Sequence, residues 1–206
     1  TLKAAQSLDG SIASADGESK WISSEESRKQ VHILRAQMDA VLVGRATAET
    51  DDPELTVRHV TGRNPMRVVL DTNLSLSTEL KLFTDDNRER TILCCCEEAA
   101  ASDNAKKLID KGVIIIPVET KDDGRLDLKD ALRKLSEHHN IASVLVEGGA
   151  GIFSSFAEEG LIDEMRLFIA PKIFGNARSA FGQFTLDSLQ DAAQFEIKGL
   201  SMSGKD

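Results

Sequence analysis

The sequence predicts an α/β fold with a mostly parallel, mixed sheet and helices on both faces, in one domain spanning residues 1–206. Three observations carry this. Short, bare apolar runs recur along the chain, as in strands buried on both faces. Between them lie segments with leucines at helical spacing, bounded by residues that start and stop helices. The stretch 143–163, SVLVEGGAGIFSSFAEEGLID, joins a strand, a glycine turn and a short helix, the repeating unit of such sheets.

In chain order, residues 2–7 read as a first strand, and Leu8, Asp9 and Gly10 as a turn into the small-residue segment 11–14. Trp21, the only tryptophan, follows a polar stretch and suits either a lid on a core or a ligand contact. Ser23 with Glu26 forms a capping box opening a helix to about Met38. Residues 40–43 form a strand that breaks at Gly44, and a helix starts at Arg45, so residues 44–47 repeat the strand, glycine and helix order of 147–152. Asp51, Asp52 and Pro53 stop that helix, and residues 55–58 are extended. Strands follow at 67–71, 91–96 and 113–118, with a helix at 102–111 closed by Gly112. Asp127 caps a helix to about His139, with Leu128, Leu132 and Leu135 on one face and Asn140 closing it. The helix 152–159, stopped by Gly160, and strands at 165–170 and 195–200 complete the order.

A net charge of −9 with scattered acids argues against nucleic acid or an anionic membrane as partner. The longest apolar run, 113–118, is too short to span a bilayer, and a cytoplasmic protein is expected. Cys94, Cys95 and Cys96 are consecutive, with no other cysteine to pair with, and read as buried free thiols. His32, His59, His138 and His139 show no zinc spacing, and neither a serine-hydrolase elbow nor an ATP-binding P-loop is present; no metal site is expected. A start at Thr1 inside a strand suggests a piece of a longer polypeptide.

The turn after the strand 143–147 carries the functional reading. A strand, a turn without side chains and a helix start point backbone N–H groups at one spot, where a pyrophosphate can sit. Residues 149–154 read G-x-G-x-x-S, close to a dinucleotide fingerprint, although the same glycines also suit a tight turn that binds nothing. Glu147 stands at the strand's carboxyl end, where ligands bind in open α/β sheets.

Six segments taken together resemble a known family: LKAAQSLDGSIA (2–13), GESKWIS (17–23), LRAQMDAVLVGRATAETDDPELTVR (34–58), PMRVVLD (65–71), VLVEGGAGIFSSF (144–156) and GLIDEMRLFIAPKIFG (160–175). They are similar to the reductase domain of bacterial riboflavin-biosynthesis enzymes. The resemblance implies a dihydrofolate-reductase-like fold, NADPH as cofactor, and reduction of 5-amino-6-(5-phosphoribosylamino)uracil, a phosphorylated pyrimidine. It further implies a zinc deaminase domain fused outside this segment, deamination before reduction, and a homo-oligomer, dimer or tetramer. Residue by residue, it sets NADPH against Ala5, Trp21, Thr47, Asp51 and Thr72, with the pyrophosphate on Gly149, Ala150, Gly151, Ile152, Phe153, Ser154 and Ser155. The substrate would meet Lys3, Ser19, Arg35, Leu55, Arg58 and Glu147. Arg35 and Arg58 supply the cations a sugar phosphate needs in an otherwise acidic chain, or else pair with surface acids. Asp71, beside Thr72, is a charge of the wrong sign for a 2′-phosphate. Lys3, Asp51 and Glu147 are the catalytic candidates, with the proton donor unassigned among them. The competing readings are a same-fold reductase of a pterin or another pyrimidine, and a non-catalytic nucleotide-binding domain supporting a fused deaminase.

Overall fold

The computed structural model describes residues 1–206. The first half of the chain contributes β1 (Leu2–Ser7), β2 (Ser11–Ala13), α1 (Glu25–Gln37), β3 (Ala40–Gly44), α2 (Arg45–Asp51), β4 (Met66–Leu70), α3 (Lys81–Thr84), β5 (Thr91–Cys95) and α4 (Glu97–Ala100). The second contributes α5 (Asp103–Asp110), β6 (Ile114–Pro117), α6 (Leu128–His139), β7 (Val144–Gly148), α7 (Ala150–Glu158), β8 (Met165–Ala170) and β9 (Arg178–Ser179). Seven strands form one sheet in the order β6-β5-β4-β3-β7-β1-β8, and β2 and β9 form a separate antiparallel ribbon. The pairs β1–β8, β3–β4, β4–β5 and β5–β6 are parallel. The chain divides into two compact units, one of residues 33–146 and one of residues 1–32 with 147–206.

In the unit 33–146, Val41, Leu42, Val68, Val69, Ile92 and Leu93 are all sealed from solvent, so these strands read as unbroken apolar runs rather than alternating ones. Helix α6 lays Leu128, Ala131 and Leu135 inward; it is capped by Asp127 and ends at Asn140 in the left-handed region with φ 53°. Helix α5 is capped by Ser102, and Gly112 follows with φ 90°. The three cysteines are buried and unpaired, as expected, and burial pushes the Cys94 and Cys95 thiols up to about 12. The largest polar side chain buried in this core is that of Arg67. Arg67 of β4 is 1% exposed, and its guanidinium binds both Asp85 oxygens (2.6 and 2.9 Å), the Thr91 hydroxyl, and the carbonyls of Leu82 and Glu54.

In the unit of residues 1–32 and 147–206, β1 and β8 run in register from Leu2 opposite Met165 to Ser7 opposite Ala170. Phe153 and Phe156 of α7 are buried, and the Phe153 ring lies 6.0 Å from that of Phe181.

Three expectations are corrected here. The acceptor for the first turn of α1 is Ser24, not Ser23: the Ser24 hydroxyl accepts from the Ser27 amide at 3.3 Å, and the Asp206 carboxylate takes the Ser24 amide at 2.6 Å. The strand expected at 195–200 does not form. Residues 193–202 make no backbone hydrogen bonds, and Ile197 and Leu200 stand 79% and 91% exposed, so alternating sequence alone, without a partner strand, left this segment irregular. The extended run expected at 55–58 is broken at its first residue, where Leu55 takes φ 53° and turns the chain. The short helices α3 and α4 and the β2–β9 ribbon add elements too brief for periodicity to show.

Candidate functional site

The turn between β7 and α7 is built for close approach. Leu145 and Val146 anchor β7 in the core, and Glu147, half-buried, is followed by Gly148 at φ 136°, a conformation that side chains rarely adopt. Helix α7 then begins at Gly149 with no side-chain cap and no acid in its first turn. The Phe153 amide is the first to find a helical partner, the Gly149 carbonyl at 3.0 Å. That leaves the amides of Ala150, Gly151 and Ile152 without an acceptor inside the helix. A Cβ on Gly151 would come within 3.1 Å of Gln183 Oε1, so this wall of the turn is tight. The Ser154 hydroxyl is buried and has no hydrogen-bond partner. Open amides and the positive end of a helix make a place for an anion. Of the seven expected pyrophosphate residues, Phe153 turns its ring into the core and donates its amide to the Gly149 carbonyl.

On β1, Lys3 and Ala5 alternate with buried Leu2 and Ala4 and so share the other face of the strand. The Lys3 ammonium sits 5.9 Å from the centre of the Phe168 ring, a cation–π distance. Trp21 is 66% exposed and covers no core; one face of its ring carries the Arg28 guanidinium at 4.5 Å. Of the two uses open to it, the lid is excluded. Ser19 lies half-buried just before it.

In the other unit, α2 begins at Gly44, whose φ −87° and ψ 165° suit any residue, again with no side-chain cap. Thr47 lies in its first turn, half-buried, and Asp51 is its last residue. The segment that follows gathers the two arginines. Arg35 Nη1 donates to the Thr56 carbonyl at 3.0 Å, while Arg58 Nη1 donates to Glu54 Oε2 at 2.6 Å and lies 3.4 Å from the Thr56 hydroxyl. Arg58 chiefly, with the Thr56 hydroxyl helping against burial, lowers the Glu54 carboxyl. Thr56 is thus the junction of both cations, and Leu55 beside it is buried at φ 53°. Sequence reasoning missed Thr56 and missed Arg67, which ties down this segment through the Glu54 carbonyl at 3.2 Å. The signal for Arg67 was a lone charge inside an apolar strand. A neighbouring depression of 340 Å³ is lined by Glu54, Asp85 and Asp86 against Lys81, a poor setting for phosphate.

Thr72 opens the turn 71–76 after β4. Asp71, the charge of the wrong sign beside it, is 1% exposed and turned into the loop, accepting from the Leu76 amide at 3.0 Å and the Ser75 hydroxyl at 3.2 Å. No group of three or more His, Cys, Asp or Glu is arranged to hold a metal, and no helix is long and apolar enough to cross a membrane.

Comparison with known proteins identifies the scaffold. Residues 1–206 match the RibD C-terminal domain family. The chain is 39% identical to the riboflavin biosynthesis protein RibD of Aquifex aeolicus, all of it aligning with 55% of that protein. It is 34% identical to the 2,5-diamino-6-ribosylamino-4(3H)-pyrimidinone 5′-phosphate reductase of Methanothermobacter thermautotrophicus, covering 93% of it. Among solved structures, RibD of Acinetobacter baumannii superposes with a TM-score of 0.85 at 30% identity, over 99% of this chain and 54% of that one. The chain therefore spans about half the length of the RibD proteins it matches. The fold is dihydrofolate-reductase-like, as the resemblance implied, and the chain belongs to the RibD C-terminal domain family of riboflavin-biosynthesis reductases.

Proposed function

We propose that the chain reduces 5-amino-6-(5-phosphoribosylamino)uracil to 5-amino-6-(5-phosphoribitylamino)uracil with NADPH, as one part of a protein whose remainder is a deaminase. The observation that carries the reading is the uncapped start of α7 after Gly148 and Gly149, with the amides of its first turn left without helical acceptors. Those donors fit a pyrophosphate. Ala5, Trp21, Thr47, Asp51 and Thr72 are the further cofactor residues, and the Asp71 carboxylate beside Thr72 is held within its own loop by the Leu76 amide and the Ser75 hydroxyl. NADPH, when bound, supplies a hydride to C1′ of the ring-opened ribosyl group.

Reduction of the C=N bond needs a proton on nitrogen as well as a hydride on carbon, and the chain's own residues must supply or steer it. Lys3, carried on the face of β1 shared with Ala5, donates or hydrogen-bonds in its charged form. Glu147 and Asp51 orient the sugar hydroxyls and favour positive charge at the reacting carbon. Arg35 and Arg58 bind the sugar phosphate; their junction at Thr56 sets the spacing of the two guanidinium groups. Leu55 and Ser19 complete the substrate contacts.

The test is oxidation of NADPH followed optically with the deaminated uracil and, in parallel, with the undeaminated pyrimidine. Turnover of the uracil alone supports the reading and the order deamination, then reduction. Reaction of only the undeaminated pyrimidine keeps the reductase and reverses the order, and turnover of neither, with NADPH bound, returns the substrate to the pterin or non-catalytic alternatives. Arg35→Ala raises KM for the pyrimidine about tenfold or more with NADPH affinity unchanged. Near-normal kcat in both Lys3→Ala and Glu147→Gln would remove those residues from the chemistry.

A further inference from the structure

Trp21 is held by contacts that the reaction itself does not require. Lys172, in the loop after β8, donates from Nζ to the carbonyls of both Trp21 and Ile22, each at 2.9 Å. Arg28 covers one face of the indole at 4.5 Å and donates from Nη1 to the Ser23 carbonyl at 2.8 Å. The loop bearing Lys172 is itself anchored. Its carbonyl accepts from the Leu8 amide at 2.8 Å, and the Asp9 carboxylate accepts from the amides of Phe174 and Gly175. The hydroxyl of Ser7 first, then those amides, hold the Asp9 carboxyl down to about 2, so the anchor stays charged at any ordinary pH. On the other side of the tryptophan loop, the guanidinium of Arg178 lies against Gly17, 3.2 Å from where a Cβ would stand. Ile22 is buried and pins the loop from beneath. A solvent-exposed aromatic with one face backed by a cation, and its backbone fixed by a second, is a stacking platform with the other face left open.

We propose that Lys172 and Arg28 are positioning residues that fix Trp21 as the platform on which an aromatic ring of the bound nucleotide stacks. The inference rests on the proposed NADPH reading. Neither cation touches the reacting atoms. Lys172 sets where the indole stands, through charge-assisted hydrogen bonds to the carbonyls of Trp21 and of Ile22 after it, and Arg28 sets the tilt of the ring. Preorganising the ring spares the nucleotide the entropy of ordering the loop, so loosening it weakens binding rather than the chemical step.

Trp21 is the only tryptophan, so the chain reports on its own platform. The experiment compares wild type, Lys172→Met, Lys172→Arg and Arg28→Met by NADPH titration calorimetry, by energy transfer from Trp21 to the dihydronicotinamide, by acrylamide quenching of the ligand-free chain, and by steady-state kinetics. For Lys172→Met we expect a rise of about tenfold in NADPH Kd, weaker transfer at saturation and stronger quenching, with KM for the pyrimidine within about twofold. Lys172→Arg, which keeps two donors, restores all three, and Arg28→Met raises Kd about threefold. If Lys172→Met does not fold, Arg28→Met and Lys172→Arg still decide the matter. Wild-type NADPH affinity and transfer in both Met variants would overturn the platform while leaving the proposed function intact. Failure of the wild-type chain to bind NADPH would overturn the proposed function and the platform with it.

Discussion

Helices α6 and α7 begin in opposite ways. At α6 the Asp127 carboxylate accepts from the amides of Lys129 and Asp130 at 2.8 and 3.0 Å, and Asp130 adds a second acid to the first turn. At α7 the residue in the same place is Gly149, which offers no side-chain acceptor, and the first turn carries no acid. A side-chain cap is typically worth about 1 kcal/mol, and a negative charge at a helix start a few tenths more. Helix α7 forgoes both and keeps its N–H groups pointing outward. An end satisfied from within is a folding signal; an end left open is a place for something from outside.

The largest expected effect comes from making one end resemble the other. Gly149→Asp supplies α7 with its own acceptor and a negative charge, so NADPH Kd should rise by about a hundredfold while the melting temperature holds or rises. Calorimetry and thermal melts read the two separately, and unchanged affinity would break the contrast. The reverse change, Asp127→Ala, should lower unfolding free energy by about 1 kcal/mol in denaturant titrations and leave NADPH Kd unaltered. Acid probes the α6 end more gently. Burial opposes ionisation of Asp130, but the Glu119 amide, Lys134 and Arg133 outweigh it and hold the carboxyl at about 2, below its ordinary 3.8. A depressed carboxylate stabilises fully above 3.8 and loses that contribution as pH falls toward 2. Melts across this interval should show a decline that Asp130→Asn reduces. The smallest change is Gly151→Ala, where the new methyl displaces only the flexible tip of Gln183, giving about a twofold to threefold loss of NADPH affinity.

The caps explain how much of the fold was legible. Asp127, Ser102, Asn140 and Gly112 act locally, so the boundaries of α5 and α6 could be read within a few residues. The strands could be read because burial on both faces leaves an unmistakable apolar run. What could not be read depends on partners far along the chain. Ser24 displaced Ser23 at the start of α1, where Ser24 also meets Asp206 and the Ser203 carbonyl. Residues 195–200 alternate as a strand would, yet pairing is not encoded in alternation. The site divides in the same way. The glycine turn was visible in the backbone grammar of the sequence, whereas Thr56 as a junction, the inward turn of Asp71 and the hold of Lys172 on Trp21 arise from contacts between separated segments.

Arg67 has a further consequence for how the chain finds this arrangement. It stands opposite Thr91 in the β4–β5 pairing and binds that hydroxyl, along with Asp85 and two carbonyls. The flanking residues Val68 and Val69 and their partners Ile92 and Leu93 are nearly interchangeable in shape and would tolerate many alignments. A shift of one residue would carry the guanidinium to the opposite face of the sheet and strand its charge in hydrocarbon, at a cost of several kcal/mol. The single ion in that strand acts as an index mark, rejecting misaligned pairings among segments that hydrophobicity alone could not tell apart.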